Sequence, residues 1–293
     1  MTDFGLVLTA MVTPFKPDGS MDYKRAAELA SYLADNGSDG LVVHGTTGES
    51  PTLTHEEEYE LYRVVKKAVG GKVKIVAGTG SNSTATTIKS TREAEKIGVD
   101  GIMIVVPYYN KPSQEGMFQH YKVVAESTKL PIIIYNIPGR TGVNMTADTV
   151  ARLAKIKNIA GIKEASGVMD QVAEIRQKTP KEFVIYSGDD DKTLEIMKRG
   201  GKGVISVASH IVGKEIKRMC ELFHAGEIGE AGRINSRLSP LFKVLFITTN
   251  PTPVKAALAM IGQPVGGLRL PLIEASDSEK EQIRKVLADL KII

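Results

Sequence analysis

A single cysteine, Cys220, leaves no partner for an internal disulfide anywhere in the 293 residues. It sits in the helical pattern Ile216-Lys-Arg-Met-Cys220-Glu-Leu-Phe223, where a packed thiol is expected rather than a nucleophile. No apolar stretch approaches the roughly 18 residues that a membrane-spanning helix needs. The start, Met1-Thr-Asp-Phe-Gly-Leu-Val-Leu, has no basic region ahead of its apolar run, so a soluble, cytoplasmic protein is expected. Charge of one sign is also missing. The net charge is +4, and Lys and Arg are interspersed with acids, which argues against a nucleic-acid surface. Neither a GxGxxG fingerprint nor a P-loop occurs, which removes weight from nicotinamide, flavin and nucleotide chemistry. His44, His120, His210 and His224 show no metal-ligand spacing, and no metal is expected.

What the chain does contain is enough to pack a core: 42% hydrophobic and 25% charged residues. Short β-rich runs at 7–12, 40–44, 74–77, 101–106, 132–135, 159–163, 183–187 and 203–206 predict eight strands. Amphipathic patterns at 23–36, 55–69, 84–97, 116–127, 147–155, 169–178 and 193–199 predict the helices between them. Regular alternation implies parallel strands joined by right-handed crossovers, and eight units are what a (β/α)8 TIM barrel requires. Gly37-Ser-Asp-Gly40 and Gly98-Val-Asp-Gly101 mark helix exits ahead of strands, and Thr54-His-Glu-Glu57 reads as a capping box. After about Gly226 only helical runs remain, at 228–236 continuing through 241–246, at 254–261 and at 280–290. The fold predicted is α/β, a catalytic barrel over 1–226 with a C-terminal three-helix appendage over 227–293.

Active sites of such barrels lie at the carboxyl ends of the strands. The second strand ends in His44-Gly-Thr46-Thr47-Gly-Glu-Ser50, either a plain turn or a loop whose hydroxyls and freed N–H groups hold a carboxylate. The fourth ends in Pro107-Tyr108-Tyr109-Asn-Lys-Pro112, whose tyrosines suit an interface or acid–base work. The fifth ends in Tyr135-Asn-Ile-Pro-Gly-Arg140-Thr-Gly142, a phenol that can shuttle protons followed by a guanidinium that can clamp a carboxylate. The sixth, Ile159-Ala-Gly-Ile-Lys163-Glu-Ala-Ser-Gly167, closes on a lysine. A strand-end lysine either snorkels to solvent or, desolvated, offers a neutral amine that attacks carbonyls. Glu164 should face the opposite way. The acids Asp189, Asp190 and Asp191 suit a helix amino terminus better than a metal, because neighbours on an extended chain diverge. One lysine with tyrosines, threonines and an arginine at one end of a barrel fits a keto acid bound as an imine, with no cofactor.

Gly45-Thr-Thr-Gly-Glu-Ser50, Pro107-Tyr-Tyr-Asn-Lys-Pro-Ser-Gln-Glu-Gly116, Tyr135-Asn-Ile-Pro-Gly-Arg-Thr-Gly142, Gly161-Ile-Lys-Glu-Ala-Ser-Gly167 and Ser187-Gly-Asp-Asp190 resemble the signature blocks of the dihydrodipicolinate synthase family. Asn250-Pro-Thr-Pro-Val-Lys255 resembles its carboxy-terminal block, and the likeness runs from about Gly5 to Leu290. The resemblance implies a pyruvate-dependent Schiff-base barrel that condenses pyruvate with L-aspartate 4-semialdehyde, toward diaminopimelate and lysine. It implies that Lys163 forms the imine, that Tyr135 is the general acid/base, and that Thr46 links two phenols in a proton relay. Tyr109 would complete that relay across the dimer interface of a homotetramer built from two dimers. Thr47 would lie at the pyruvate end, Arg140 would hold the semialdehyde carboxylate, and Gly188 and Ile205 would line the pocket. Lysine-inhibited members place a histidine and a glutamate where this chain has Glu58 and Thr86, among Ser50, Pro51, His55, Asn82 and Tyr108. Weak or absent feedback by lysine is therefore expected. The competing readings are a sister aldolase for N-acetylneuraminate or a 2-keto-3-deoxy sugar acid, and a barrel that only binds keto acids. Arg140 weighs against the first, since a polyol aldehyde needs hydroxyl-binding groups. The filled catalytic roles weigh against the second.

Overall fold

Runs of β-branched residues flanked by turn chemistry become strands buried on both faces, as parallel strands covered by helices must be. The computed structural model describes residues 3–293. Its strands are β1 (Val7–Ala10), β2 (Gly40–Val43), β3 (Lys74–Gly78), β4 (Gly101–Val105), β5 (Ile132–Asn136), β6 (Ile159–Glu164), β7 (Val184–Ser187) and β8 (Gly203–Ser206). They follow one another in sequence order around a closed barrel. The helices between and after them are α1 (Tyr23–Asp35), α2 (His55–Val69), α3 (Thr84–Ile97), α4 (Gln114–Glu126), α5 (Pro138–Thr141) and α6 (Ala147–Leu153). Then come α7 (Met169–Lys178), α8 (Thr193–Lys198), α9 (Ser209–His224), α10 (Ile228–Val244), α11 (Thr252–Met260) and α12 (Asp277–Asp289). The eight-stranded TIM barrel and the C-terminal helices match the architecture expected from the sequence. No helix among the described residues is long and apolar enough to cross a membrane.

The chain divides into two compact units. One is Lys74–Ile205 with the segment ending at Gly5; the other is Leu6–Val73 with Ser206–Ile293. In the first unit the sheet is in parallel register, with Tyr135 opposite Lys163 and Lys163 opposite Tyr186. Ile132, Ile133 and Ile134 are fully enclosed there, as are Ile162 and Ile185.

The two Gly-x-Asp-Gly turns do the same work in different units. The Asp39 carboxylate accepts the N–H groups of Leu6 (2.8 Å) and Val7 (3.0 Å), while Asp39 donates its own N–H to Val7 O at 2.7 Å. Asp100 accepts from Ile75 N at 2.9 Å and donates to Ile75 O at 2.9 Å. Each aspartate thus pins the start of the preceding strand, which explains why the motif recurs. The predicted capping box of α2 is present, with Thr54 and Glu57 each satisfying the other's backbone N–H.

Two helices differ from the sequence reading. α5 is a four-residue helix where Pro-Gly-Arg-Thr reads as a loop. α9 starts at Ser209, ahead of the recognisable apolar spacing, and bends at Val212. The bend brings Gly213 against the end of α1, where a Cβ on Gly213 would collide with the Asn36 carbonyl. Gly37, at φ 96°, completes this close approach.

Candidate active site

Strand alternation decides which groups gather at the end of β6. Lys163 and Tyr135 share one face of the sheet, and Lys163 Nζ lies 4.4 Å from the centre of the Tyr135 ring. Lys163 is only 5% exposed. Burial pushes its amine down to about 8, against the pull of Asp189 and Asp190 and with a further push from Arg140. Asp189 answers in kind: burial lifts its carboxyl to about 6, although Lys163 draws it down. The result is an amine whose neutral form, the one that attacks a carbonyl carbon, is far more populated near physiological pH than that of a solvated lysine.

Glu164 faces the other way, as alternation requires. Its buried carboxylate accepts from Asn136 Nδ2 at 3.0 Å, Ser166 N at 2.7 Å and Gln171 Nε2 at 3.3 Å. Burial pushes its carboxyl above the ordinary glutamate range against these bonds, since only neutral donors surround it. Asn144 joins Asn136 and Gln171 in the same network, at 2.8 and 2.7 Å. The backs of β5 and β6 are therefore bolted together directly behind Tyr135 and Lys163.

Arg140 stands on α5, exposed, and its guanidinium has no ion-pair partner among the described residues. Gly188 donates its N–H to Glu164 O at 2.8 Å, and a Cβ there would meet Ala165 Cβ at 2.5 Å. Only glycine fits. Ile205 is fully buried on β8. Tyr109 is 88% exposed and holds a left-handed φ of 72°, so within one chain its phenol stands in solvent. Asp189 and Asp190 were not among the expected site residues. Their acidic run signals a helix start, and only the fold reveals that they bear on Lys163.

In the other unit, Thr46 and Thr47 lie on the loop leaving β2. Thr46 is half-buried, and Thr47 is buried with its Oγ1 accepting from Asn250 Nδ2 at 2.9 Å. Two non-glycine residues bracketing this loop hold left-handed backbone, His44 at φ 65° and Glu49 at φ 56°. Such strain persists only where surroundings enforce it. Gly48 O accepts from Thr13 Oγ1 at 2.6 Å, and buried Glu49 pairs with buried Lys255 at 2.5 Å. Burial holds the Lys255 ammonium below its ordinary range even with Glu49 drawing it up.

Of the residues expected at an effector site, Ser50 and Pro51 form a short 3-10 turn and His55 opens α2. Glu58 is buried, with His44 Nε2 at 3.0 Å from one carboxylate oxygen and His55 Nδ1 at 3.0 Å from the other. Burial pushes its carboxyl up, but the two histidines outweigh that and leave it below the ordinary glutamate range. In the first unit, Asn82 O accepts from Asn110 Nδ2 at 2.9 Å, and Thr86 Oγ1 donates to Ser83 Oγ at 3.1 Å. Tyr108 is partly exposed. Among the described residues no group of three or more His, Cys, Asp or Glu side chains gathers to hold a metal ion.

A model of the Dihydrodipicolinate synthetase family matches residues 3–290. The chain belongs to this family. It is 56% identical over 290 residues to the 4-hydroxy-tetrahydrodipicolinate synthase of Moorella thermoacetica, covering 99% of both chains. To that of a Cyanothece species it is 53% identical over 294 residues, covering 100% of both. Among solved structures, the Cyanidioschyzon merolae family member crystallised with lysine bound superposes with a TM-score of 0.97 at 51% identity, covering 99% of each chain. The chloride-inhibited Acinetobacter baumannii member, complexed with pyruvate, gives 0.97 at 39% identity over 99% of this chain and 100% of that one. These matches span nearly the whole chain.

Proposed function

We propose that Lys163 is the amine on which pyruvate is held as an imine, for condensation with L-aspartate 4-semialdehyde. The activity is that of a 4-hydroxy-tetrahydrodipicolinate synthase, a lyase of lysine and diaminopimelate biosynthesis, as in full-length relatives at 53–56% identity. The observation that carries the role of Lys163 is its burial beside Tyr135 with an amine brought down to about 8.

The neutral Lys163 amine attacks C2 of pyruvate, and the carbinolamine loses water as Tyr135 protonates the departing hydroxyl. Loss of a C3 proton gives an enamine, whose C3 forms the new carbon–carbon bond to the aldehyde carbon while the aldehyde oxygen takes a proton. The amine of the former semialdehyde then adds to the imine carbon, expels Lys163 and closes the ring. Thr46 passes protons between Tyr135 and Tyr109, with Tyr109 supplied by a neighbouring subunit of a homotetramer. The exposure of Tyr109 and its strained backbone support that placement. Thr47 holds the pyruvate carboxylate, and unpaired Arg140 holds that of the semialdehyde. Gly188 and Ile205 line the pocket through backbone groups. No cofactor enters these steps. The enzyme works in the cytoplasm, with a catalytic barrel over 1–226 and a helical appendage over 227–293.

Arg140→Ala tests the substrate assignment. A charge-assisted contact is worth about 1.5–3 kcal/mol, so KM for the semialdehyde should rise on the order of 10- to 100-fold while KM for pyruvate stays. Unchanged affinity for the semialdehyde overturns the assignment.

A further inference from the structure

The block Asn250-Pro-Thr-Pro-Val-Lys255 has no role in the steps above, yet it contacts the loop leaving β2 at two points. Both lie within one unit. Lys255 Nζ reaches Glu49 at 2.5 Å and Gly267 O at 2.7 Å, while Asn250 Nδ2 donates to Thr47 Oγ1 at 2.9 Å. Asn250 and Thr47 are both at least nine-tenths buried, and Asn250 Oδ1 has no hydrogen-bond partner. An unsatisfied buried amide oxygen is costly, so the Asn250 amide is retained for what its Nδ2 does.

We propose that Asn250 is a positioning residue that aims the Thr47 hydroxyl, and that it sets the affinity for pyruvate through that hydroxyl alone. A hydroxyl has one hydrogen and two acceptor sites. With Asn250 Nδ2 occupying an acceptor site, a Thr47 hydrogen turned toward Asn250 would set two donors face to face. The hydrogen is therefore directed away from Asn250 and is ready to donate to a carboxylate. Lys255 and Glu49 hold the same loop at its strained end, so the loop cannot drift to relieve the constraint. This rests on the reading that Thr47 binds the pyruvate carboxylate.

The test is a double-mutant cycle on the full-length enzyme. Asn250→Asp and Asn250→Ala are each made alone and with Thr47→Val, and KM for both substrates and kcat are measured. Losing one neutral hydrogen bond should raise KM for pyruvate about 3- to 10-fold in either single variant, with KM for the semialdehyde unchanged. In the Thr47→Val background the same changes should shift KM for pyruvate less than about twofold. Asn250→Asp keeps the size of the side chain and exchanges the donor for a carboxylate oxygen that draws the Thr47 hydrogen toward itself, so it carries the test if the alanine variant misfolds. An effect that persists undiminished without the Thr47 hydroxyl overturns the proposal, as does an Asn250→Asp enzyme with the parent KM. If Thr47→Val alone leaves KM for pyruvate untouched, the reading of Thr47 fails and the proposal falls with it.

Discussion

An ammonium enclosed by protein loses the solvation of water, and Lys163 carries the consequence. Bringing its amine from 10.5 to about 8 corresponds to roughly 3 kcal/mol against the charged form. Because the shift is downward, the neutral amine grows as pH rises toward about 8 and saturates above it. The rate of imine formation with pyruvate, followed by stopped-flow absorbance, should climb through neutral pH and level off above about 8; a rate still climbing toward 10 would mean an ordinary, solvated lysine. Glu58 supports a second expectation. Both of its oxygens already face histidines, and Thr86 offers a hydroxyl bonded to Ser83 in place of a carboxylate. Steady-state turnover should therefore persist at sub-millimolar lysine, and clear inhibition there would contradict this. Lys163, Tyr135 and Arg140 are legible in the sequence because each sits at or just past the end of an apolar strand. The influence of Asp189 on Lys163 is not, since three adjacent acids read as a helix start. Neither is the bond from Asn250 to Thr47, which joins residues some two hundred positions apart.

At the scale of elements, the strands were readable because parallel strands buried on both faces leave short apolar runs. β5, with three consecutive isoleucines, is the clearest. Helices with an amphipathic stripe and a capping residue were equally plain, α2 above all. α5 was not, because four residues show no periodicity, and the start of α9 was hidden by the Gly213 contact with α1. The loop leaving β2 is held by tertiary partners rather than local preference, as its left-handed His44 and Glu49 require. Lys255→Met would leave the Glu49 carboxylate buried without its cation. Urea denaturation should show a loss of about 3–5 kcal/mol, and a loss under about 1 kcal/mol would mean that the pair behaves as a surface ion pair.

At the scale of the molecule, eight strands close in sequence order, and within the first unit the ends of β5, β6 and β7 stand on the carboxyl-terminal rim, where a barrel enzyme works. The count of strands carried the barrel from the sequence, and the closed eight-stranded barrel bears out that fold. Tyr109 is turned out to solvent within one chain, and the homotetramer proposed above would bring a neighbour's Tyr109 to the site. All of this depends on one covalent bond. Borohydride reduction of the enzyme with pyruvate, followed by peptide mass spectrometry, tests it most directly. The pyruvate-derived increment should sit on the peptide containing Lys163 and vanish in Lys163→Arg. An unmodified Lys163, or the same increment on another lysine, would contradict the account.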